Sequence, residues 1–295
     1  MATSEIKKQL IEIGPGFWNI RGHFKKLAGL VDIETQMSII RLKNGNFIII
    51  DTIPIDQGLK IEIDELTSYG DRIEAVLATH PFHTLAFPAF YQLYPKPPYY
   101  GTPRHLRKLT DIKWFGNLID LQIREKWEPD IEMRIPAGAE FIAPEPEKSN
   151  HFVSVFVYHG PSHTLHVDDT IMYSPNPSFL LKVAGYKHGS MIFQPAIKNH
   201  GLYPTADAPY HFRDWMRKIL NDWNFDNICC AHMGIKIGGA KQQVQDMLNK
   251  AEPLFQKLSE KNQKHNPQGD LKVKQKHDDK EEQHDGMNIS GNECG

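Results

Sequence analysis

Three cysteines in 295 residues are too few for a disulfide framework, and two of them, Cys229 and Cys230, are adjacent while the third, Cys294, stands near the C-terminal end. A reducing, cytoplasmic environment is therefore expected. Long apolar runs are missing as well: no stretch approaches the roughly 18–20 apolar residues that a membrane span requires. The opening MATSEIKKQLIEI alternates charge with hydrophobe, where a signal peptide would carry an unbroken apolar core. Nor does one sign of charge prevail. With 34 Lys and Arg against 36 Asp and Glu, the formal net charge is -2, which gives no electrostatic reason to expect a nucleic acid or a membrane surface as partner. What remains is the composition of an ordinary globular domain, one that would act on or bind a small molecule.

Large hydrophobes thin out after residue 256. A stretch such as KNQKHNPQGDLKVKQKHDDKEEQHDG cannot bury enough apolar surface to offset the entropy of ordering it. Residues 1–256 are therefore expected to form one domain and 257–295 a disordered charged tail, whose His265, His277 and His284 are solvated.

The first half of the domain reads as strands. Phe17–Arg21, Gln36–Leu42 and Phe47–Asp51 are β-branched and aromatic, and Lys43-Asn44-Gly45-Asn46 predicts a hairpin turn between the last two. Phe47–Asp51 is apolar enough to be buried on both faces. The spacing of Ile55, Leu59, Ile63 and Leu66 predicts a helix over Ile55–Tyr69, and Ile73–Thr79 a buried strand that leads straight into His80. Helices over Pro88–Tyr94 and Pro103–Leu109 flank a strand at Tyr99–Gly101. Later, Glu140–Ala143, Ser154–Tyr158, Thr170–Tyr173 and Asn227–Ala231 read as strands, Tyr210–Trp223 and Ala240–Leu258 as helices. Two strand-rich halves, each closed by helices, predict an α/β fold with two sheets packed face to face and helices outside.

The informative feature is where the 15 histidines fall. His80 and His83 follow one predicted strand; His159, His163 and His166 follow another in VFVYHGPSHTLHVDD; His232 follows a third in DNICCAHMG. Histidines delivered by several strand ends are what a metal site on a sheet edge requires, because neutral imidazole is the commonest protein ligand of zinc.

At this point a resemblance becomes specific. The strand hairpin, the buried strand ending in Asp51, then ATHPFHTLAF, PSHTLHVDDTIMYSPN and AHMG resemble the metallo-β-lactamase superfamily over roughly residues 14–258. FPAFYQLYPKPPYYGTPRHLRKLTDIKW together with VSVFVYHGPSHTLHVDDTIMY looks like a ligand-poor branch of it. The resemblance implies an αββα four-layer sandwich. It also implies a first metal signature, T-H-x-H-x-D-H, of which Thr79 and His80 match the first two positions while Phe82, Thr84 and Leu85 stand where a His, an Asp and a His are required. His163 and Thr164 match the family's Gly-His-Thr, and His232 its final His; Ser174-Pro175-Asn176 offers no bridging Asp.

The ligand set so implied is His80, His163 and His232 with His83, around zinc or no metal at all. Asp51, His159 and Asp169 are possible supports, although Asp51 also suits a loop cap and Asp168-Asp169 a solvated turn, with His166 at the surface. Hydrogen-bonded residues inherited without a metal explain His80 and His232 equally well. Two functions follow: a mononuclear metal-dependent hydrolase of an ester, thioester or lactone, or a non-enzymatic binding module on the same fold. An iron site handling oxygen ranks last, since it needs two metals and their carboxylates.

Overall fold

The hairpin SIIRLKNGNFIII sets the architecture. A computed structural model describes residues 9–23, 25–26, 31–32, 34–183, 185–232 and 234–265. In it the turn closes through the Leu42 and Gly45 backbone N–H groups, which donate to Asn46 and Leu42 carbonyls at 2.8 and 2.9 Å, with Gly45 at φ 85°, a conformation that costs glycine little. The first half contains β1 (Ile11–Gly14), β2 (Phe17–Gly22), β3 (Lys25–Lys26), β4 (Val31–Asp32), β5 (Thr35–Arg41), β6 (Phe47–Ile50), α1 (Gln57–Thr67), β7 (Ile73–Leu77), α2 (Phe87–Leu93), β8 (Tyr99–Gly101), α3 (Pro103–Lys108), β9 (Trp114–Asn117) and α4 (Leu121–Glu125). The second half contains β10 (Ile131–Arg134), β11 (Phe156–His159), β12 (Thr164–His166), β13 (Ile171–Ser174), α5 (Phe179–Val183), β14 (Ser190–Phe193), α6 (Ala208–Asp222), β15 (Asn227–Cys229), β16 (Ile235–Lys236), α7 (Ala240–Lys250) and α8 (Glu252–His265).

Seven strands form the first sheet in the order β1-β2-β5-β6-β7-β8-β9, and five form the second in the order β10-β11-β12-β15-β16. Every residue of β6 is buried, and alternation along it divides the core. Phe47 and Ile49 join Leu59 and Ile63 of α1 and Phe87 and Phe90 of α2 on the outer face. Ile48 and Ile50 point the other way, into a cluster with Val155, Val157 and Leu165 of the second sheet. Beyond that sheet the same cluster takes in Phe212 and Met216 of α6, Val244 of α7 and Phe255 of α8. The result is the expected four-layer α/β sandwich, helix, sheet, sheet, helix.

Three expectations need correction. Glu140–Ala143 is a loop rather than a strand, because the Glu140 carboxylate accepts the backbone N–H groups of Ile142 and Ala143 at 2.7 and 3.3 Å and so replaces a strand partner. The final helix is two: α7 ends at Lys250 and α8 begins at Glu252, with Pro253 in its first turn, where a missing N–H does no harm. The tail does not begin at 257. Helix α8 runs on to His265 with Phe255 and Leu258 buried, and the Asn262 side chain donates to the Thr205 carbonyl at 2.9 Å. The remainder of the tail, with His277, His284 and Cys294, lies outside the described residues, as do the first eight residues of the opening segment.

One side chain ties the sheets together at the end that matters below. Arg21 of β2 sends Nη1 to the Cys230 carbonyl at 2.8 Å and Nη2 to the Ala231 carbonyl at 3.0 Å, while its Nε meets Glu34 at 3.0 Å. Hydrogen bonds made by a charged group contribute about 1.5–3 kcal/mol each, and methionine keeps most of the packing volume. Arg21→Met should therefore lower stability by about 2–4 kcal/mol in urea unfolding followed by tryptophan fluorescence; an unchanged midpoint would remove Arg21 from this role.

Candidate metal centre

Strand direction decides which residues meet. β6 and β7 run parallel, with Ile50 opposite Leu77, so Asp51 after the one and Thr79-His80 after the other emerge at the same rim of the first sheet. In the second sheet β12 and β15 are also parallel, His166 opposite Cys229, which brings Asp168-Asp169 and His232 to one rim. The two rims are joined there: the Val155 N–H donates to the Thr79 carbonyl at 3.0 Å, and the Thr79 hydroxyl lies 2.8 Å from Asp168 Oδ2. β11 is antiparallel to β12, so whatever follows β11 lies at the opposite end.

Three imidazoles face one carboxylate. His80 Nε2 is 3.6 Å from Asp169 Oδ2; His83 Nε2 and His232 Nε2 are 3.6 and 3.0 Å from Asp169 Oδ1. The His80 and His83 rings stack at 4.2 Å, and His232 meets His83 edge-on at 5.7 Å. Asp169 Oδ1 is buried yet makes no hydrogen bond. Burial alone would raise the Asp169 carboxyl, but the charges of His232 and His80 and the close approach of the His232 and His83 rings hold it well below the usual carboxylate range.

The histidines differ in what their nitrogens are free to do. His232 Nδ1 sits 2.7 Å from the Glu34 carbonyl, which can only accept, so that nitrogen carries the hydrogen. Nε2 of the neutral ring then aims a lone pair at Asp169 Oδ1, a contact that requires a cation between the two or a second proton on the ring. His83 is bracketed by carboxylates, Nδ1 being 3.7 Å from Asp168 Oδ1. Burial opposes its charge, but Asp169, Asp168 and Asp51 outweigh that and raise it to about 9. His80 is fully buried, and its Nδ1 accepts the Phe82 N–H at 3.2 Å, which leaves the proton on Nε2, 3.4 Å from the His151 carbonyl. Burial, then the charge of His83, push His80 down to about 3, so it is a neutral donor.

Behind this cluster lies a second one. His166 Nε2 is 3.5 Å from both Asp51 Oδ2 and Asp168 Oδ1, and its Nδ1 meets the Ser38 hydroxyl at 2.9 Å. That hydroxyl also accepts from Asn19 at 2.9 Å. Burial works against a charged His166, but hydrogen bonds and charge from Asp168 and Asp51 raise it to about 9. The Thr79 hydroxyl stands 2.5 Å from Asp51 Oδ2 and 2.8 Å from Asp168 Oδ2. It has one hydrogen for two carboxyls. Burial and the Asp168 charge raise the Asp51 carboxyl. Through Thr79, whose N–H it also accepts at 3.0 Å, Asp51 fixes the strand end from which His80 springs.

A cavity of about 690 Å³ opens above the first cluster, and His83, Asp169 and His232 line it. His80 and the second cluster are not among its lining residues.

Of the residues singled out from the sequence, His80, His83, His232, Asp51 and Asp169 come together, and His163 and His159 do not. His163 is exposed, its Nδ1 2.9 Å from the Asn224 carbonyl, and it precedes β12, whereas Asp169 follows it; three strand residues separate those ends by roughly 10 Å. His159 turns to Ser162 at 2.7 Å and to the Phe17 ring. Asp168-Asp169, which follow β12, stand at the His232 rim instead. These are no solvated turn: Asp168, Asp169 and His166 are all buried. The signal was available, since β12 is merely Thr-Leu-His and a strand so short hides within a histidine-rich loop.

No protein-family model matches the chain, and no curated protein is similar to it in sequence. Solved structures do match in three dimensions. The crystal structure of VMB-1 at pH 5.5 is 15% identical, with a TM-score of 0.52 over 82% of this chain and 96% of that one. The metallo-β-lactamase FIM-1 from Pseudomonas aeruginosa, in its mono-zinc form, gives 12% and 0.52 over 82% and 95%. A fragment of a putative diflavin flavoprotein from Nostoc sp. PCC 7120 gives 14% and 0.52 over 86% and 97%. Fold is what such distant structures share, and the chain has the metallo-β-lactamase fold.

His159, far from the cluster, supplies a clean test of buried imidazole. Burial pushes it down to about 4, against about 6.5 when unfolded. Between those values the unfolded chain binds a proton that the folded chain refuses, so stability is full above pH 6.5 and falls as pH drops towards 4. His159→Gln should flatten that acid-side slope in urea titrations from pH 7.5 to 4.5; an unaltered slope would mean that the ring is protonated in the fold.

Proposed function

We propose that this chain is a mononuclear metal-dependent hydrolase whose ion is held by Asp169, His83 and His232. The observation that carries the reading is Asp169 Oδ1, buried without a hydrogen bond beneath imidazole nitrogens at 3.0 and 3.6 Å. Donors around a tetrahedral ion at 2.0–2.1 Å lie roughly 3.3 Å from one another, a spacing that the contacts of Asp169 with His232 and His83 bracket, and ligand atoms of His80, His83 and Asp169 all lie within 4.8 Å of one another. All three residues line the cavity. Both histidines have a group behind them, His232 the Glu34 backbone carbonyl and His83 the Asp168 carboxylate, partners of the kind that orient metal ligands. Zinc, the ion this donor set suits best, would polarise a carbonyl and bring the pKa of water down to about 7, the chemistry needed to cleave an ester, thioester or lactone. The protein's own part is to hold that geometry. Asp51 and Thr79 pin the strand end, Phe82 walls the cavity, and His80 stands neutral 3.6 Å from the Asp169 carboxylate.

A metal-free binding module is the second reading, and one observation favours it. His166 between Asp51 and Asp168, and His83 between Asp168 and Asp169, both raised to about 9, compensate the buried carboxylates with no ion at all.

Metal analysis of the purified protein separates the two. The hydrolase reading expects close to one zinc per chain, lost in Asp169→Ala and His232→Ala, retained in His163→Ala, and bound about 10–100-fold more weakly in Asp168→Asn. Protein that carries no metal, and whose melting is indifferent to both chelator and added zinc, belongs to the second reading.

A further inference from the structure

One wall of the cavity is built from the chain between Asp169 and Asp207. That segment contains no Asp or Glu, yet it carries Lys182, Lys187 and Lys198. It contributes Met172, Leu181 and Tyr186 to the lining. Helix α5 within it leaves Phe179 77% and Val183 73% exposed, and Leu85, also on the lining, is 82% exposed. Exposed large apolar side chains on a segment that also lines a cavity mark a surface suited to an apolar ligand. Lys148 also reaches the lining. Its neighbour Glu147 is engaged by Arg104 at 3.3 Å and Lys108 at 3.9 Å, and among the described residues no carboxylate pairs with Lys148.

Charge thus divides the cavity. At the floor the Asp169 carboxylate is already met by three imidazoles, whereas Lys148 on the lining has no carboxylate partner among the described residues. Between floor and rim the wall is apolar. The volume lies within the roughly 300–1,000 Å³ of small-molecule sites, enough for a flexible chain.

We propose that the cavity binds a soluble single-chain anionic amphiphile, its apolar chain lying against Leu85, Met172, Leu181 and Tyr186 and its anionic group at Lys148. Under the hydrolase reading this names what the substrate carries; the binding itself needs neither metal nor turnover.

The test is calorimetric titration of the full chain, kept in chelator, with octyl, decyl and dodecyl carboxylates below their micelle-forming concentrations. Alcohols and trimethylammonium compounds of matching length serve as comparison. Burial of chain should tighten binding by up to roughly fourfold per methylene, and the carboxylates should bind about two- to fivefold tighter than the alcohols, the range of a partly exposed ion pair. Lys148→Glu should erase that preference while leaving the alcohols unaffected, and Leu181→Asp should weaken every chain-bearing probe. The proposal is overturned if affinity ignores chain length, if the cationic series binds as well as the anionic one, or if binding appears only on phosphatidylglycerol vesicles. Because chelator is present throughout, absence of metal or turnover leaves each of these outcomes intact.

Discussion

Three carboxylates buried at one rim are the constraint from which the rest follows. Asp51, Asp168 and Asp169 are each at most 3% exposed, and an ionised carboxylate away from water is tolerated only when it is paired and hydrogen-bonded. The molecule meets that demand in two tiers. Inside, burial and the Asp168 charge raise the Asp51 carboxyl, Thr79 bridges it to Asp168, and His166 faces both. Outside, Asp169 has imidazoles but no hydrogen bond for one oxygen. Asp168 belongs to both tiers, since Oδ1 faces His166 at 3.5 Å and His83 at 3.7 Å. A change in the charge of either tier is therefore felt by the other.

That arrangement depends on strand direction more than on residue type. Parallel pairing of β6 with β7 and of β12 with β15 sends all the chemistry to one end. Antiparallel pairing of β11 with β12 sends His159 and His163 to the other. The cross-sheet contacts of Arg21 and Thr79 then hold the two rims in register, which is why Arg21, remote from the carboxylates, belongs with them.

Legibility from sequence followed length and periodicity. β6 could be read because four consecutive bulky residues leave no polar face, and His80 and His232 because each follows an apolar strand at once. β12 could not, because three residues carry no period. The error then spread: with β12 unseen, His163 was placed at a strand mouth, His166 at the surface and Asp168-Asp169 in a solvated turn. Burial of an Asp pair cannot be inferred from composition, since the compensating His166 and His83 come from other segments. The helix boundary at Ala251 was hidden for a different reason. Apolar spacing continues across it, and only Pro253 marks the break.

Under the hydrolase reading, an aspartate in the ligand set governs what an ion at this rim would do. Three neutral imidazoles cancel none of a divalent ion's charge, whereas two imidazoles and a carboxylate cancel half of it. Under the hydrolase reading the remaining charge would polarise a carbonyl less and acidify water less, which would favour substrates with good leaving groups, such as thioesters and activated lactones, over amides. Without an ion, His83 and His166 offset the buried carboxylates. Lys148 stands apart from that balance at the cavity lining, so charge at the floor and charge at the mouth are set by different residues.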